Sequence, residues 1–205
     1  MKNRKLIVGL IALSAVFLSA CQPIPVSPDD TANDADDTNV DDTDTTVDEP
    51  RTMSVQVYFG NNIENPAAQD CSAVFPVTRE IAETDDDEEK IKLAMEELVK
   101  GPTEEEITEG ATSFFSASTE ELLADVELRS GIAYINFKTD LRETIPNASS
   151  SCGSQQFLSE INETVNQFGI TTVRYSFDGN PQSFYEWLQL SCPTDYTECR
   201  NENEA

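Results

Sequence analysis

From Leu122 to Phe137 the chain reads LLADVELRSGIAYINF. Leu122, Ala124, Val126 and Leu128 fall on one side of an extended backbone, and Asp125, Glu127 and Arg129 on the other. Ser130-Gly131 follows Arg129 as a turn signal. Ala133, Ile135 and Phe137 then return with the same alternation and leave Ile132 and Tyr134 pointing the other way. A period of two, broken by a short Gly-containing turn, predicts a hairpin with one buried and one outward face. A two-stranded hairpin is not stable alone, so its apolar face needs further elements to cover it.

Those elements lie on both sides. Upstream, Ile91, Ala94, Met95, Leu98 and Val99 recur at helical spacing. Asp85 with Glu88, or Thr84 with Asp87, offers a start for that helix, and the acids of the first turn suit its dipole. Lys100-Gly101-Pro102 supplies the stop. Thr103 and Glu106 form a capping-box pattern for a short turn that Gly110 ends. Further upstream, Val55, Val57 and Phe59 alternate with Ser54, Gln56 and Tyr58. Val74, Phe75 and Val77 suggest a second strand, which Pro76 restricts to an edge or an irregular position. Downstream, a loop over Pro146 to Gly153 leads into a helix marked by Phe157, Leu158, Ile161, Val165 and Phe168 and ended by Gly169. Val173, Tyr175 and Phe177 mark a last strand before the turn signal Asp178-Gly179. Phe184, Trp187 and Leu188 fit either a helical turn or an apolar terminal segment. The expected fold is α+β: one small domain, a mixed sheet of about four to five strands, and two main helices on one face.

The first 20 residues are of another kind. Lys2, Arg4 and Lys5 precede the uncharged apolar run Leu6 to Leu18, the layout of a secretory signal and too short for a comfortable membrane span. The run ends in Leu18-Ser19-Ala20-Cys21, which looks like a bacterial lipobox with Cys21 as the lipidated residue. Two or three acyl chains on Cys21, at about 0.8 kcal/mol per buried CH₂, would hold the protein on a membrane. Cleavage before Cys21 removes three of thirteen basic residues and no acid, which takes the formal charge from −26 to −29. Such a surface repels nucleic acid and anionic headgroups. Residues 21–52 follow as the lipidated Cys and an acidic tether. Gln22 to Pro50 carries ten acids, no base and no aromatic residue. Such a segment cannot bury enough apolar surface to order itself, and a flexible chain of that length spans about 30 Å. The globular domain is expected over 53–190 and a tail over 191–205.

Four more cysteines remain, Cys71, Cys152, Cys192 and Cys199. An even number outside the cytoplasm suggests two disulfides. Cys192 and Cys199, flanking Pro193 and Asp195, could close a small tail loop. Cys71 and Cys152 would then pair by elimination. A zinc site is disfavoured by the lack of C-x₂-C spacing and of any histidine.

The blocks now in hand resemble a known family. Ala94-Met95-Glu96-Glu97-Leu98-Val99-Lys100-Gly101-Pro102-Thr103, with Glu106 and Gly110 after it, resembles the opening of the GerMN domain, named for sporulation and spore germination proteins. Leu122 to Phe137 follows in order, then Ile161 with Thr164-Val165-Asn166-Gln167-Phe168, then Val173 to Phe177-Asp178-Gly179. The resemblance runs from about Val55 to Leu190. It implies a lipid-anchored extracytoplasmic module that works through protein contacts in envelope complexes, and it implies no catalytic residues.

The residues themselves point the same way. Without histidine there is no Ser–His–Asp or Cys–His catalysis. No Gly-rich phosphate loop or C-x-x-C redox pair is present. No catalytic residue, metal or cofactor is therefore expected. The partners expected are a membrane, through the lipid, and an envelope protein, but no nucleic acid. Tyr58, Phe114, Phe115, Tyr134, Tyr185 and Trp187 are aromatic candidates for contact, and cores use the same residue types. Ile132 and Tyr134, outward on the hairpin, are the chosen interaction residues. Two other function classes stay open: a binder of cell-wall glycan or another small ligand, and a hydrolase using paired carboxylates.

Overall fold

A computed structural model describes residues 51–196 and 199. The signal-like segment, Cys21 and nearly all of the acidic tether lie outside the described residues.

Strand β1 spans Thr52–Asn61 and buries Val55, Val57 and Phe59, as its alternation requires. It pairs antiparallel with β2 (Phe75–Ala82), with Val57 opposite Val77 and Phe59 opposite Phe75. β2 is an edge strand, where Pro76, lacking an N–H, breaks no inner ladder. Helix α1 (Asp87–Val99) buries Ile91, Ala94, Met95, Leu98 and Val99, the five residues of its stripe. Its N-cap is Asp86, whose side chain accepts from the Glu89 N–H, one residue after Asp85 and two after Thr84, the starts read in the sequence. Gly101 turns the chain at φ 76°; a Cβ there would sit 2.3 Å from the Phe115 carbonyl oxygen, so only glycine fits. Helix α2 (Glu104–Thr108) starts with the expected Thr103/Glu106 capping box. The short β3 (Ala111–Thr112) then pairs with the end of β1.

Strands β4 (Leu123–Arg129) and β5 (Ile132–Phe137) form the hairpin around Ser130 and Gly131, both at positive φ. A bulge between Leu123 and Asp125 shifts the parity at its start. Leu123 therefore pairs opposite Phe137, while Ala124 is exposed instead of lying on the apolar face with Val126 and Leu128. The short helix α3 (Leu141–Thr144) stands where the sequence shows no apolar periodicity. Helix α4 (Ser151–Asn166) begins inside the segment expected to be loop, because Ser150 caps it by accepting from the Gly153 N–H. Strand β6 (Thr172–Phe177) pairs parallel with β5, and α5 (Pro181–Trp187) closes the domain.

The class is α+β in one compact unit, and the strands lie in two three-stranded sheets, β2-β1-β3 and β4-β5-β6, rather than in one. The second sheet is mixed. The reason for the division is α4, which takes the place beside β1 where another strand could pair. The Gln167 side chain accepts from the Gln56 N–H at 2.8 Å and donates to the Gln56 carbonyl at 2.6 Å. Thr164 Oγ1 accepts from the Tyr58 N–H at 3.2 Å, and Glu160 Oε1 accepts from the Gly60 N–H at 3.5 Å. Residues 160, 164 and 167 share one helical face, and alternate residues of β1 offer their N–H groups along one edge. The helix thus satisfies a strand edge with side chains.

The other stripe of α4, Phe157, Ile161 and Val165, is fully buried. Phe184 from α5 plugs the aromatic centre, with ring centroids 4.9 Å from Tyr175, 5.0 Å from Phe177 and 6.3 Å from both Phe137 and Phe157. Fully burying one such ring contributes about 1.5–3 kcal/mol. Among the described residues no helix is long and apolar enough to cross a membrane.

Candidate interaction face

The register of the mixed sheet sets three rows of side chains on its outer face. Arg129, Ile132 and Thr172 form one row, Glu127, Tyr134 and Arg174 the next, and Asp125, Asn136 and Ser176 the third. Ile132 and Tyr134 stand where the alternation put them, outward and half-buried. Asn136 Oδ1 accepts from Ser176 Oγ and from the Gly179 N–H, both at 2.9 Å. Arg129 pairs with Glu127 at 3.0 Å and lays its guanidinium over the Tyr134 ring, 3.9 Å from the centroid.

The sequence reading missed what lies over this face. The segment after α5 returns across it. Tyr196, only 8% exposed, meets Tyr134 edge-on with centroids 5.6 Å apart. Asp195 accepts from Arg174 at 2.6 Å, and that bond holds the Asp195 carboxyl below its ordinary range. Cys192 and Cys199 join as a disulfide, Cα atoms 5.6 Å apart, and brace the segment. A hollow of about 140 Å³ remains beside Tyr196, lined by Glu127, Arg129, Tyr134 and Asn136 among others. The one local hint was an aromatic residue between two cysteines in an otherwise polar tail.

The second disulfide joins Cys71, in the β1–β2 loop, to Cys152 at the start of α4, Cα atoms 5.0 Å apart. Of the aromatic candidates, Phe115 and Tyr185 are core, while Tyr58, Phe114 and Trp187 are half-buried.

Glu160 is a polar residue that sequence reasoning did not single out. It is fully buried, and burial pushes its carboxyl up to about 8 against the pull of hydrogen bonds from Ser113, Gln156 and Gly60. Ser113 Oγ lies 2.7 Å from Oε2, and Gln156 Nε2 donates to Oε1 at 2.9 Å. At neutral pH the acid is mostly protonated. Its proton can then reside on Oε2 and be donated to Ser113 Oγ, while Oε1 accepts from Gln156 and Gly60. Gly60, Thr112 and Gln156 also line a hollow of about 300 Å³ rich in side-chain amides, with Asn61, Asn62 and Asn65. Among the described residues no group of three or more His, Cys, Asp or Glu could hold a metal ion.

The Germane family, described as sporulation and spore germination, matches residues 56–183, and the chain belongs to that family. Among solved structures, the chain is similar to a “Putative Lipoprotein from Clostridium perfringens”, with 20% identity over 62% of this chain and 76% of that one, at a TM-score of 0.35. No curated protein matches the chain.

Proposed function

We propose that the chain is a lipid-anchored, extracytoplasmic module of the cell envelope that acts by contacting other proteins and carries no catalysis of its own. Membership of the Germane family over residues 56–183 carries this reading. The lipobox-like Leu18-Ser19-Ala20-Cys21 supports the anchor, and the ten acids between Gln22 and Pro50 support a tether that holds the domain off an anionic bilayer. Among the described residues the one buried acid, Glu160, is sealed beneath Gly60 and Gln156, which suits a structural role better than acid–base chemistry on a substrate. Ile132 and Tyr134 are the proposed contact residues on the outer sheet face.

The test has three arms. Cys21→Ala should release the protein from membranes or leave an uncleaved precursor; an unmodified mature Cys21 by mass spectrometry removes the anchor. Tyr134→Asp should keep the domain folded in a thermal melt and weaken capture of a partner by crosslinking in intact envelopes. Turnover of glycan fragments by the purified chain defeats the non-catalytic reading.

Glycan binding is the second reading, and one observation favours it: the hollow lined by Asn61, Asn62, Asn65 and Gln156 offers amides that suit sugar hydroxyls. Retention of the chain on purified peptidoglycan, lost on Asn65→Ala, supports that reading; no retention removes it.

A further inference from the structure

Three large apolar side chains are exposed among the described residues, Ile63, Ile107 and Leu190, and two of them share a neighbourhood. Ile63, 63% exposed, lies in the β1–β2 loop, and Ile107, 55% exposed, lies on α2. Both flank Gly110. The Gly110 N–H donates to the Ile107 carbonyl, and a Cβ on Gly110 would come within 2.8 Å of Ile63 Cγ1. Gly110 has φ 98°, a conformation that suits glycine, so this approach is built into the turn.

The loop holds Ile63 out rather than letting it fold in. Asn61 Oδ1 accepts from the Ile63 N–H at 2.8 Å and from the Glu64 N–H at 3.0 Å, and the Asn62 N–H donates to the Gly110 carbonyl at 2.9 Å. Helix α2 is fixed as firmly. Glu106, a member of the capping box, also forms a two-pronged ion pair with Arg79, whose guanidinium lies 5.9 Å from the Phe59 ring centroid. Two pinned elements therefore present isoleucines to solvent.

Beside them, lined by Glu64 of that loop and Glu106 of α2, opens a cleft of about 370 Å³. Phe59, Phe75, Pro76, Val77 and Ala111 line it with apolar groups, and Asn61, Glu64, Glu106 and Glu109 line it with polar ones. Arg79, which pairs with the lining residue Glu106, is also held by Glu97. None of the ion pairs among the described residues involves Glu64, Glu104, Glu105 or Glu109. The cleft thus mixes apolar side chains with carboxylates, of which Glu64 and Glu109 form no ion pair among the described residues.

We propose that this cleft, with the exposed Ile63 and Ile107 next in sequence to its lining residues Glu64 and Glu106, is the docking surface for a basic segment of a partner protein. A large apolar side chain of that segment seats against Phe75 and Pro76, and its lysines or arginines meet Glu64 and Glu109. Charge selects this occupant. A second copy of a chain with net charge −26 brings like charge to these carboxylates, and an anionic bilayer does the same. The inference rests on the interaction-module reading and specifies one surface and the chemistry of what it takes.

The experiment uses the full chain and three labelled octapeptides. The first is Gly-Lys-Arg-Leu-Phe-Arg-Lys-Gly, the second has Glu at the basic positions, and the third has Ser in place of Leu and Phe. By fluorescence anisotropy the first should bind, more weakly as salt rises, and the other two should bind at least about tenfold less tightly. Ile63→Ser with Ile107→Ser should lose about tenfold affinity, and Glu64→Gln with Glu109→Gln should lose a similar factor without touching the apolar lining. Equal binding of the Ser peptide, or affinity unchanged in both double variants, overturns the proposal. A photo-crosslinking residue at Ile107 and, separately, at Tyr134 then tests the site in intact envelopes. A crosslink from Ile107 to a basic segment supports the proposal. A crosslink from Ile107 to a second copy or to lipid overturns it. Crosslinks from Tyr134 alone leave the module reading standing and defeat this surface. Crosslinks from neither position count against both.

Discussion

The two sheets solve the same problem at different depths. The open side of β1 is closed by α4, from within the domain, through Glu160, Thr164 and Gln167 and the disulfide Cys71–Cys152. The outer face of the mixed sheet is overlaid by the segment after α5, from outside, through Asp195, Tyr196 and the disulfide Cys192–Cys199. In the first seam α4 side chains reach the backbone of β1, from the exposed Gln56 at one end to the buried Gly60 at the other. In the second, side chains meet side chains near solvent. The first seam should govern whether the domain folds, and the second should tune a surface.

The disulfides separate the seams most sharply. Cys71 and Cys152 are 81 residues apart, and Cys192 and Cys199 only 7. Loop-closure entropy alone then assigns about 4.5 kcal/mol to the first bridge and about 2.4 kcal/mol to the second. Replacing each pair by serine and comparing urea midpoints checks the order; equal losses would erase the distinction between the seams. Non-reducing peptide mapping that joins Cys71 to Cys192 or Cys199 would overturn the pairing itself.

Glu160 gives the inner seam a dependence on pH. In the unfolded chain the carboxyl ionises near its ordinary 4.5, whereas in the fold it keeps its proton up to about 8. Its contribution is therefore fully present below pH 4.5 and is lost as pH rises toward 8, at about 1.4 kcal/mol per unit. Glu160→Gln supplies the same donor and acceptor as the protonated acid. The variant should be more stable than the natural chain at pH 7 by a few kcal/mol. The gap should close as pH falls to 4.5. Thermal melts across that range check it, and a pH-independent difference refutes the buried-proton account.

Thr164→Val keeps the shape of the side chain and strands the Tyr58 N–H. It should cost about 1–3 kcal/mol in chemical denaturation. At the bottom of the scale, Asp195→Asn removes the ion pair with Arg174 at an exposed carboxylate. It should shift the denaturation midpoint little, because solvent screens the pair. A large effect there would move the tail into the folding core.

How much of this was legible follows from the range of the interactions. The stripe and stop of α1, the capping box of α2 and the turn at Ser130-Gly131 are local, and each stands where the pattern placed it. The family resemblance, read from about Val55 to Leu190, has its counterpart in the match over 56–183. The bulge at Ala124 escaped because Leu122 and Leu123 are both apolar, so either parity satisfied the pattern. The division into two sheets could not be read, since it depends on residues about a hundred positions apart. Gln156, Glu160, Thr164 and Gln167 look like the wet side of a helix until β1 is placed against them. Ile132 and Tyr134 were placed on the correct face, but the tail over them had no periodicity to announce it.

The hydrogen bonds from α4 to β1 span 100 to 111 residues of sequence. A chain that emerges N-terminus first therefore exposes β1 and β2 long before the helix that finishes them arrives. Until Ser151–Asn166 is available, one side of β1 is a sticky ribbon able to recruit any passing extended segment. The acidic stretch just ahead of it, with ten carboxylates and no base, would keep such half-made chains apart by mutual repulsion. The same charge proposed to hold the finished domain off a membrane would then protect the unfinished one from its neighbours.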